Sequence, residues 1–376
     1  MESLRFARNV IIKTLALLVV INLVFALWYP LPQIGRVSAY NSLFPGRKRL
    51  PYGENPSRDY SLSLYNLEAM FASHELAGKP KAADEFRVIL IGDSATWGFL
   101  LSPEGTLSAS LNRANLQLPN GRQVKFYNLG YPVMSLTKDL LVLSYAMQFS
   151  PDLIVWPLTL ESFPYDKQLF PPLLQNNPAA VRQLVETYHL NMKSQVANLK
   201  EPSFWDRTIA GSRRTLADIA RLQIYGAMWA ATGIDQDIPK TYTPRAEDLT
   251  ADASFHDLQS PHLIETDLAF DVLAAGFQMA SSVPVLIVNE PMFVSQGQNS
   301  HIRYNYFYPR WAYDDYRQMM QAKSQDNGWL YIDAWNIVDN NQFTNSAVHL
   351  TPAGNQQLAD YLAPRIFELA IMALSQ

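Results

Sequence analysis

Three short segments hold residue types that acyl chemistry could use: Ser94 closes RVILIGDS, Gly130 closes QVKFYNLG, and His349 lies in SAVHLTPAGN near the C-terminus. A serine hydroxyl is a weak nucleophile until a base within hydrogen-bond reach takes its proton, and the oxyanion formed on attack must meet preorganised donors. Taken singly, none of the three is diagnostic. Gly-Asp-Ser also makes an ordinary turn, a glycine after a strand supplies a positive-φ turn, and a lone histidine before a helix is more often an incidental surface residue. The nucleophile-elbow pattern G-x-S-x-G is broken by Thr96 in the fifth position, which removes the α/β-hydrolase fold from contention.

Their order along the chain carries more weight, because each follows the right kind of element. RVILIGDS, QVKFYNLG and PDLIVWPL are short apolar strands, with helical stretches after Glu104 and from Leu136 to Phe149 between them. The alternation stops near Glu161. It resumes with a helix from Leu263 to Ser281, the strand VPVLIVNEP, a helix from Arg310 to Gln325, the strand WLYIDAW and a helix after Pro352. Five strands alternating with helices predict a parallel, doubly wound, flavodoxin-like sheet with right-handed crossovers. Its ligand crevice lies beyond the carboxyl ends of the strands, where Ser94, Gly130 and Glu290 are placed. Thr351 is a good N-cap and Pro352 a good first helical residue, so His349 sits just outside the last helix.

With the order in hand, IGDSATWGF resembles the first block of the SGNH (GDSL-like) hydrolase family, YNLG its second, and the segment around His349 its last. The resemblance spans residues 84–163 and 263–376. It implies Ser94 as nucleophile, His349 as base, and the backbone N–H groups of Ser94 and Gly130 as oxyanion donors, with an acyl-Ser94 intermediate. Two positions depart from the family pattern. Its third block carries an Asn, whereas this chain has Thr159-Leu160-Glu161-Ser162; Thr159 offers a hydroxyl in its place, and a charged Glu161 would repel an oxyanion. The family's triad Asp corresponds to Ser346, preceded by Asn345, and neither is charged. Three outcomes are open: a Ser–His dyad oriented by a carbonyl or hydroxyl, a carboxylate from elsewhere, or loss of activity. Glu290, at the end of the fourth strand, is the preferred substitute, with loop capping or pairing to Arg303 or Arg310 as its ordinary alternative. Asp333 and Asp93 are expected to be structural. The stretch Arg303–Trp311 lines either an acyl or sugar site or the packed edge of the insert.

The flanking regions complete the organisation. Arg5, Arg8 and Lys13 precede an apolar run from Leu15 to Tyr29 broken only by Asn22. This is expected to be an uncleaved single-pass anchor over residues 10–29, with a cytoplasmic N-terminus and an extracytoplasmic domain. Residues 30–83 are expected to be a stalk, 84–163 and 263–376 the two halves of the α/β domain, and 164–262 a mostly helical insertion. A net charge of −4 and the lack of a basic aromatic stripe argue against nucleic acid as a partner. Zero cysteines exclude disulfides and thiolate sites. His74, His189, His256, His262, His301 and His349 show no metal-ligand spacing, and no Gly-rich phosphate loop follows the first strand, so no metal or cofactor is expected. An anchored domain of this build resembles accessory proteins of membrane-bound O-acyltransferases. That resemblance implies an esterase or O-acyltransferase acting on a cell-envelope glycopolymer or lipid, with a membrane-bound O-acyltransferase as partner, or alternatively an impaired SGNH-like scaffold that binds such a ligand.

Overall fold

The computed structural model describes residues 2–53 and 62–374. The elements used below are α1 (Glu2–Trp28), β1 (Glu85–Leu90), α2 (Leu107–Arg113), β2 (Gln123–Asn128), α3 (Leu136–Ala146), β3 (Leu153–Leu158), α4 (Arg213–Thr232), α5 (Phe270–Ala280), β4 (Val285–Asn289), α6 (Arg310–Asn327), β5 (Leu330–Asp333) and α7 (Pro352–Ala373). All five strands are parallel, in the order β2-β1-β3-β4-β5. This is the doubly wound sheet expected from the alternation.

Strands β1, β3 and β4 are buried along their whole length, as a parallel sheet covered on both faces requires, while the edge strand β2 alternates. One face (Ile89, Ile154, Trp156, Ile287) packs against α3, α5 and α6. The other (Phe86, Val88, Phe126, Val155, Val288) packs against α2 and α7. Two helices are shorter than their apolar pattern. The tail Met147–Phe149 is a 3₁₀ turn. The start of the expected 263–281 helix is drawn off by pairing with the third-strand loop, where the Ala269 amide donates to the Phe163 carbonyl.

α1 is continuous and long and apolar enough to cross a membrane, with only 6% of its apolar window buried. It ends where Tyr29 adopts a positive φ of 45° ahead of Pro30. The segment after it is not a free stalk, although residues 54–61 lie outside the described residues. Leu31, Tyr40, Leu50, Leu62, Leu64, Met70 and Phe71 are buried in the main core. His74 is fully buried, its Nε2 3.1 Å from the Asn128 carbonyl oxygen, and burial pushes its pKa down to about 3.

The strongest tie of this segment is electrostatic. Arg49 Nε donates to Asp235 Oδ2 at 2.6 Å, Arg49 Nη2 pairs with Oδ1, and Arg47 Nη2 reaches Oδ2 at 3.1 Å. The two guanidinium groups stack over Trp97 and Trp229, 4.2 and 4.0 Å from the ring centroids. Burial alone would raise the Asp235 pKa, but the two arginines outweigh it and hold the carboxyl below its usual range. Polar composition made these residues look like a linker, yet Arg49 and Asp235 are buried because they are paired, while Arg47 Nε and Nη1 find no hydrogen-bond partner among the described residues. The insert is helical over Pro178–Thr187 and α4, but no regular helix follows Thr232 within it. Asp235→Ala leaves two buried guanidiniums without their carboxylate, an error worth about 3–5 kcal/mol. A clear drop in the thermal midpoint of the purified protein is expected, and an unchanged midpoint would refute a structural role for the pair.

Candidate active site

The site begins where β1 runs out. Gly92 has a φ of +149°, and a Cβ there would lie 2.5 Å from Thr96 Oγ1, so only glycine permits this turn. Asp93 caps the short helix Ser94–Trp97 by accepting from the Ala95 amide at 2.7 Å, and Gly98 closes it at φ +90°. Ser94 therefore occupies the first helical position, and its amide donates to no acceptor among the described residues. Gly130 is needed for close approach, since a Cβ there would come within 2.5 Å of the Trp97 amide nitrogen. Arg49 braces the loop beyond the serine, donating to the carbonyls of Gly98 and Leu101, both at 2.8 Å.

His349 is delivered from the other end of the chain. Thr351 accepts from the Gly354 amide at 3.1 Å and Pro352 opens α7, as expected. A bridge between Phe343 and Leu350 and a 2.8 Å bond from the Thr344 amide to the His349 carbonyl close the loop that carries the ring. His349 Nε2 lies 2.8 Å from Ser94 Oγ, and Nδ1 lies 2.9 Å from Asn345 Oδ1. The Thr344 hydroxyl lies 3.3 Å from Asn345 Oδ1, but its single proton goes to the His349 carbonyl at 3.2 Å; with Oδ1 turned to the ring, Asn345 can only accept there. Nδ1 then carries the proton, and Nε2 is left as the acceptor facing the serine. Phe99 flanks the imidazole at 5.2 Å, and burial pushes the His349 pKa down to about 4.

Glu290 does not take the third position. Asn345 holds Nδ1, and the only cause of the His349 shift is burial. Neither alternative pairing occurs: Arg303 donates to backbone carbonyls including those of Asp252, Tyr306 and Phe307, and Arg310 to the Ser300 carbonyl. Glu290 instead belongs to a buried cluster with Asp93, Asp139 and Lys138. Burial, then the charges of Asp93 and Asp139, hold its carboxyl well above the usual range. Lys138 Nζ donates to the Gly92 and Tyr131 carbonyls, both at 2.7 Å, and pairs with Asp139. Burial also pushes Asp93 up to about 6, against the pull of Lys138. Asp333 is structural, bonded by Asn289 Nδ2 at 2.8 Å and by Arg317 Nη2 at 2.7 Å.

Of the three expected oxyanion donors, Ser94 alone has an uncommitted group. The Gly130 amide donates to Asn128 Oδ1 at 3.0 Å, an arrangement locked by Asn128 Nδ2 on the Thr96 carbonyl at 2.8 Å. The Thr159 hydroxyl is fully buried and bonded to the Tyr308 hydroxyl at 3.0 Å. Glu161 is neutralised from the insert side: it pairs with Lys167, and His256 Nε2 lies 3.3 Å from its Oε2. In the aromatic stretch, Arg303 and Trp311 bond the insert backbone, the latter donating to the Ala253 carbonyl at 2.6 Å. Tyr306 remains partly exposed, its hydroxyl 3.1 Å from Ser346 Oγ beside the histidine loop. Asn345 was visible in the sequence only as an uncharged neighbour of the position where a carboxylate was sought. No group of His, Asp and Glu able to hold a metal occurs among the described residues.

Fold and site thus define an α/β protein with a Ser–His–Asn constellation at the carboxyl edge of a parallel sheet. No family model matches the chain, and no curated protein does. Among solved structures, it is similar to a GDSL-like lipase from Bacteroides thetaiotaomicron (11% identity, 81% of this chain and 98% of that one, TM-score 0.39). It is also similar to the aryl esterase of M. smegmatis (14% identity, 75% and 99%, TM-score 0.35). A third is a carbohydrate acetylesterase family member from Sinorhizobium meliloti (12% identity, 76% and 98%, TM-score 0.34). At such low TM-scores and identities, what this chain does has to come from its own side chains.

With the histidine pKa near 4, the base stays neutral well below the usual histidine range. The acid limb of any Ser94-dependent reaction is expected at about pH 4, with rate rising through it to a plateau. A limb at the ordinary histidine value near 6.5 would show that the buried environment of His349 is not the one described.

Proposed function

We propose that this chain is a membrane-anchored serine esterase or O-acyltransferase acting on acylated cell-envelope glycopolymer or lipid through an acyl-Ser94 intermediate. The observation that carries it is the 2.8 Å contact between Ser94 Oγ and His349 Nε2, with Nδ1 held by Asn345 Oδ1. In this arrangement Nε2 takes the serine proton as Oγ attacks the acyl carbonyl. The tetrahedral oxyanion meets the Ser94 amide. The imidazolium then returns the proton to the departing alkoxide, leaving acyl-Ser94, and water or an acceptor hydroxyl completes the transfer by the same proton route.

Asn345 sets the tautomer but brings no negative charge to offset the imidazolium, unlike an aspartate. Losing one oxyanion donor typically costs about 2.7–4 kcal/mol in the barrier. Slow turnover is therefore expected, which suits transfer to a presented acceptor better than rapid hydrolysis. α1 supports the anchored, extracytoplasmic placement, with Arg5 and Arg8 on the cytoplasmic side. A membrane-bound O-acyltransferase supplying the acyl group is the partner this reading calls for. The commitment of the Gly130 amide and the Thr159 hydroxyl favours a second reading, a scaffold that binds the ligand without turning it over.

A serine-directed fluorophosphonate probe separates the two. Labelling of the wild type that is lost in Ser94→Ala supports the enzyme, whereas an unlabelled wild type without short-chain ester turnover supports the scaffold. Asn345→Asp is expected to keep labelling and to move its acid limb upward, by about 1–3 pKa units for an adjacent opposite charge. Asn345→Ala is expected to slow labelling without abolishing it. Indifference of the rate and pH profile to both changes would remove Asn345 from the constellation.

A further inference from the structure

The insert contains a turn that reaches α1 at a depth where only lipid or protein should be. A helical span needs about 20 apolar residues. It cannot slide toward the N-terminus without burying Arg8 and Arg5, so it occupies about residues 10–29, with the Lys13 ammonium reaching back to the inner boundary. Asn22 lies six residues before Trp28, which at 1.5 Å per residue is roughly 9 Å inside the outer boundary. The last turns of α1 are not uniformly exposed. Asn22, Phe25 and Tyr29 are half-buried and Ala26 is buried, at the i, i+3, i+4, i+7 spacing of one helix face, while Ile21, Leu23, Val24 and Leu27 stay exposed. Two residues of the 203–212 turn touch this face. The Ala210 amide donates to Asn22 Oδ1 at 3.1 Å, and the Arg207 guanidinium lies 5.7 Å from the Tyr29 ring. Asn22 Nδ2 is satisfied within the helix by the Leu18 carbonyl at 2.9 Å, so both ends of this amide, the one polar group between Leu15 and Trp28, have a partner.

We propose that this turn is a second membrane contact, seated in the outer leaflet beside α1 with Phe204 and Trp205 facing lipid. The inference rests on α1 being a retained span, and goes beyond the catalytic reading. Phe204 and Trp205 are 41% and 72% exposed and packed edge-to-face at 5.6 Å, and around them in sequence the cations Lys200, Arg207, Arg213 and Arg214 outnumber Glu201 and Asp206. Amphipathic aromatics beside cations are the composition of the headgroup boundary. The turn also satisfies much of its own polar backbone, as a segment leaving water must. The Ser212 amide donates to the Thr208 carbonyl at 2.8 Å, the Gly211 amide to Thr208 Oγ1 at 3.0 Å, and Ser212 Oγ to the Asp206 carbonyl at 2.9 Å. From this turn α4 runs 20 residues, about 30 Å at 1.5 Å per residue. It ends near Gln236, which accepts from the Leu100 amide at 3.1 Å and donates to the Leu101 carbonyl at 2.6 Å. Two membrane contacts, with this strut leading from one of them to the serine loop, would fix the orientation of that loop over the bilayer.

Because the chain has no cysteine, single labels can be placed at will. Trp205→Cys, Leu18→Cys and Asn120→Cys, each carrying the environment-sensitive fluorophore NBD, are compared in the full-length protein in vesicles of phosphatidylethanolamine and phosphatidylglycerol containing spin-labelled lipids. Position 205 is expected to show blue-shifted emission quenched more by shallow than by deep spin labels, with position 18 quenched deeply and position 120 not at all. Emission and quenching at 205 matching position 120 while 18 is quenched would overturn the inference alone. A blue shift at 205 without lipid quenching would replace lipid by a protein neighbour and overturn it too. Absence of quenching at 18 would overturn the retained span and, with it, this inference, whatever the reactivity of Ser94.

Discussion

The Arg49–Asp235 pair is the interaction on which the rest of the arrangement depends, because it joins three stretches of chain that share no local contact in sequence. One guanidinium binds the carboxylate of the insert, stacks on Trp97 and donates to the carbonyls of Gly98 and Leu101 just beyond the serine. A buried ion pair repays its desolvation only when every lone pair and proton is met. The carbonyls of the serine loop supply the acceptors that complete it. The loop therefore owes its shape to the segment that follows α1, and the insert owes its seat to the same charge.

A second set of buried charges lies beneath the strand ends. Lys138 is one cation among three carboxyls, those of Asp93, Asp139 and Glu290, and one positive charge cannot hold three negative ones in a dry site. Burial and the neighbouring carboxylates push the Glu290 carboxyl well above the usual range, while Lys138 ties the turn at Gly92 to the turn at Tyr131. The residue that looked best placed to assist the histidine belongs to the platform beneath the serine turn.

The constellation above that platform differs from a charged triad in one respect that matters. An amide oxygen can fix which ring nitrogen carries the proton, but it does not stabilise the imidazolium as a carboxylate does. Burial of His349 acts in the same direction, disfavouring the charged form. The site is organised for attack and is weakly equipped to hold charge.

The doubly wound sheet, the serine turn and the placement of His349 before the last helix were legible in the sequence, because period, caps and glycine requirements are local. Apolar runs of strand length, Thr351-Pro352 at a helix start and Gly92 before the serine each state their own backbone conformation. The third member of the site was not legible, since choosing between Asn345 and Glu290 needs the direction of two side chains separated by 55 positions in the chain. Nor was the packing of residues 31–50, whose charges suggested a linker until Asp235, nearly two hundred residues on, was brought against them. Local chemistry determined which elements form and which residues stand at the strand ends. Only the tertiary structure decided which of those residues meet, because long-range pairing depends on burial and charge compensation that no single segment contains.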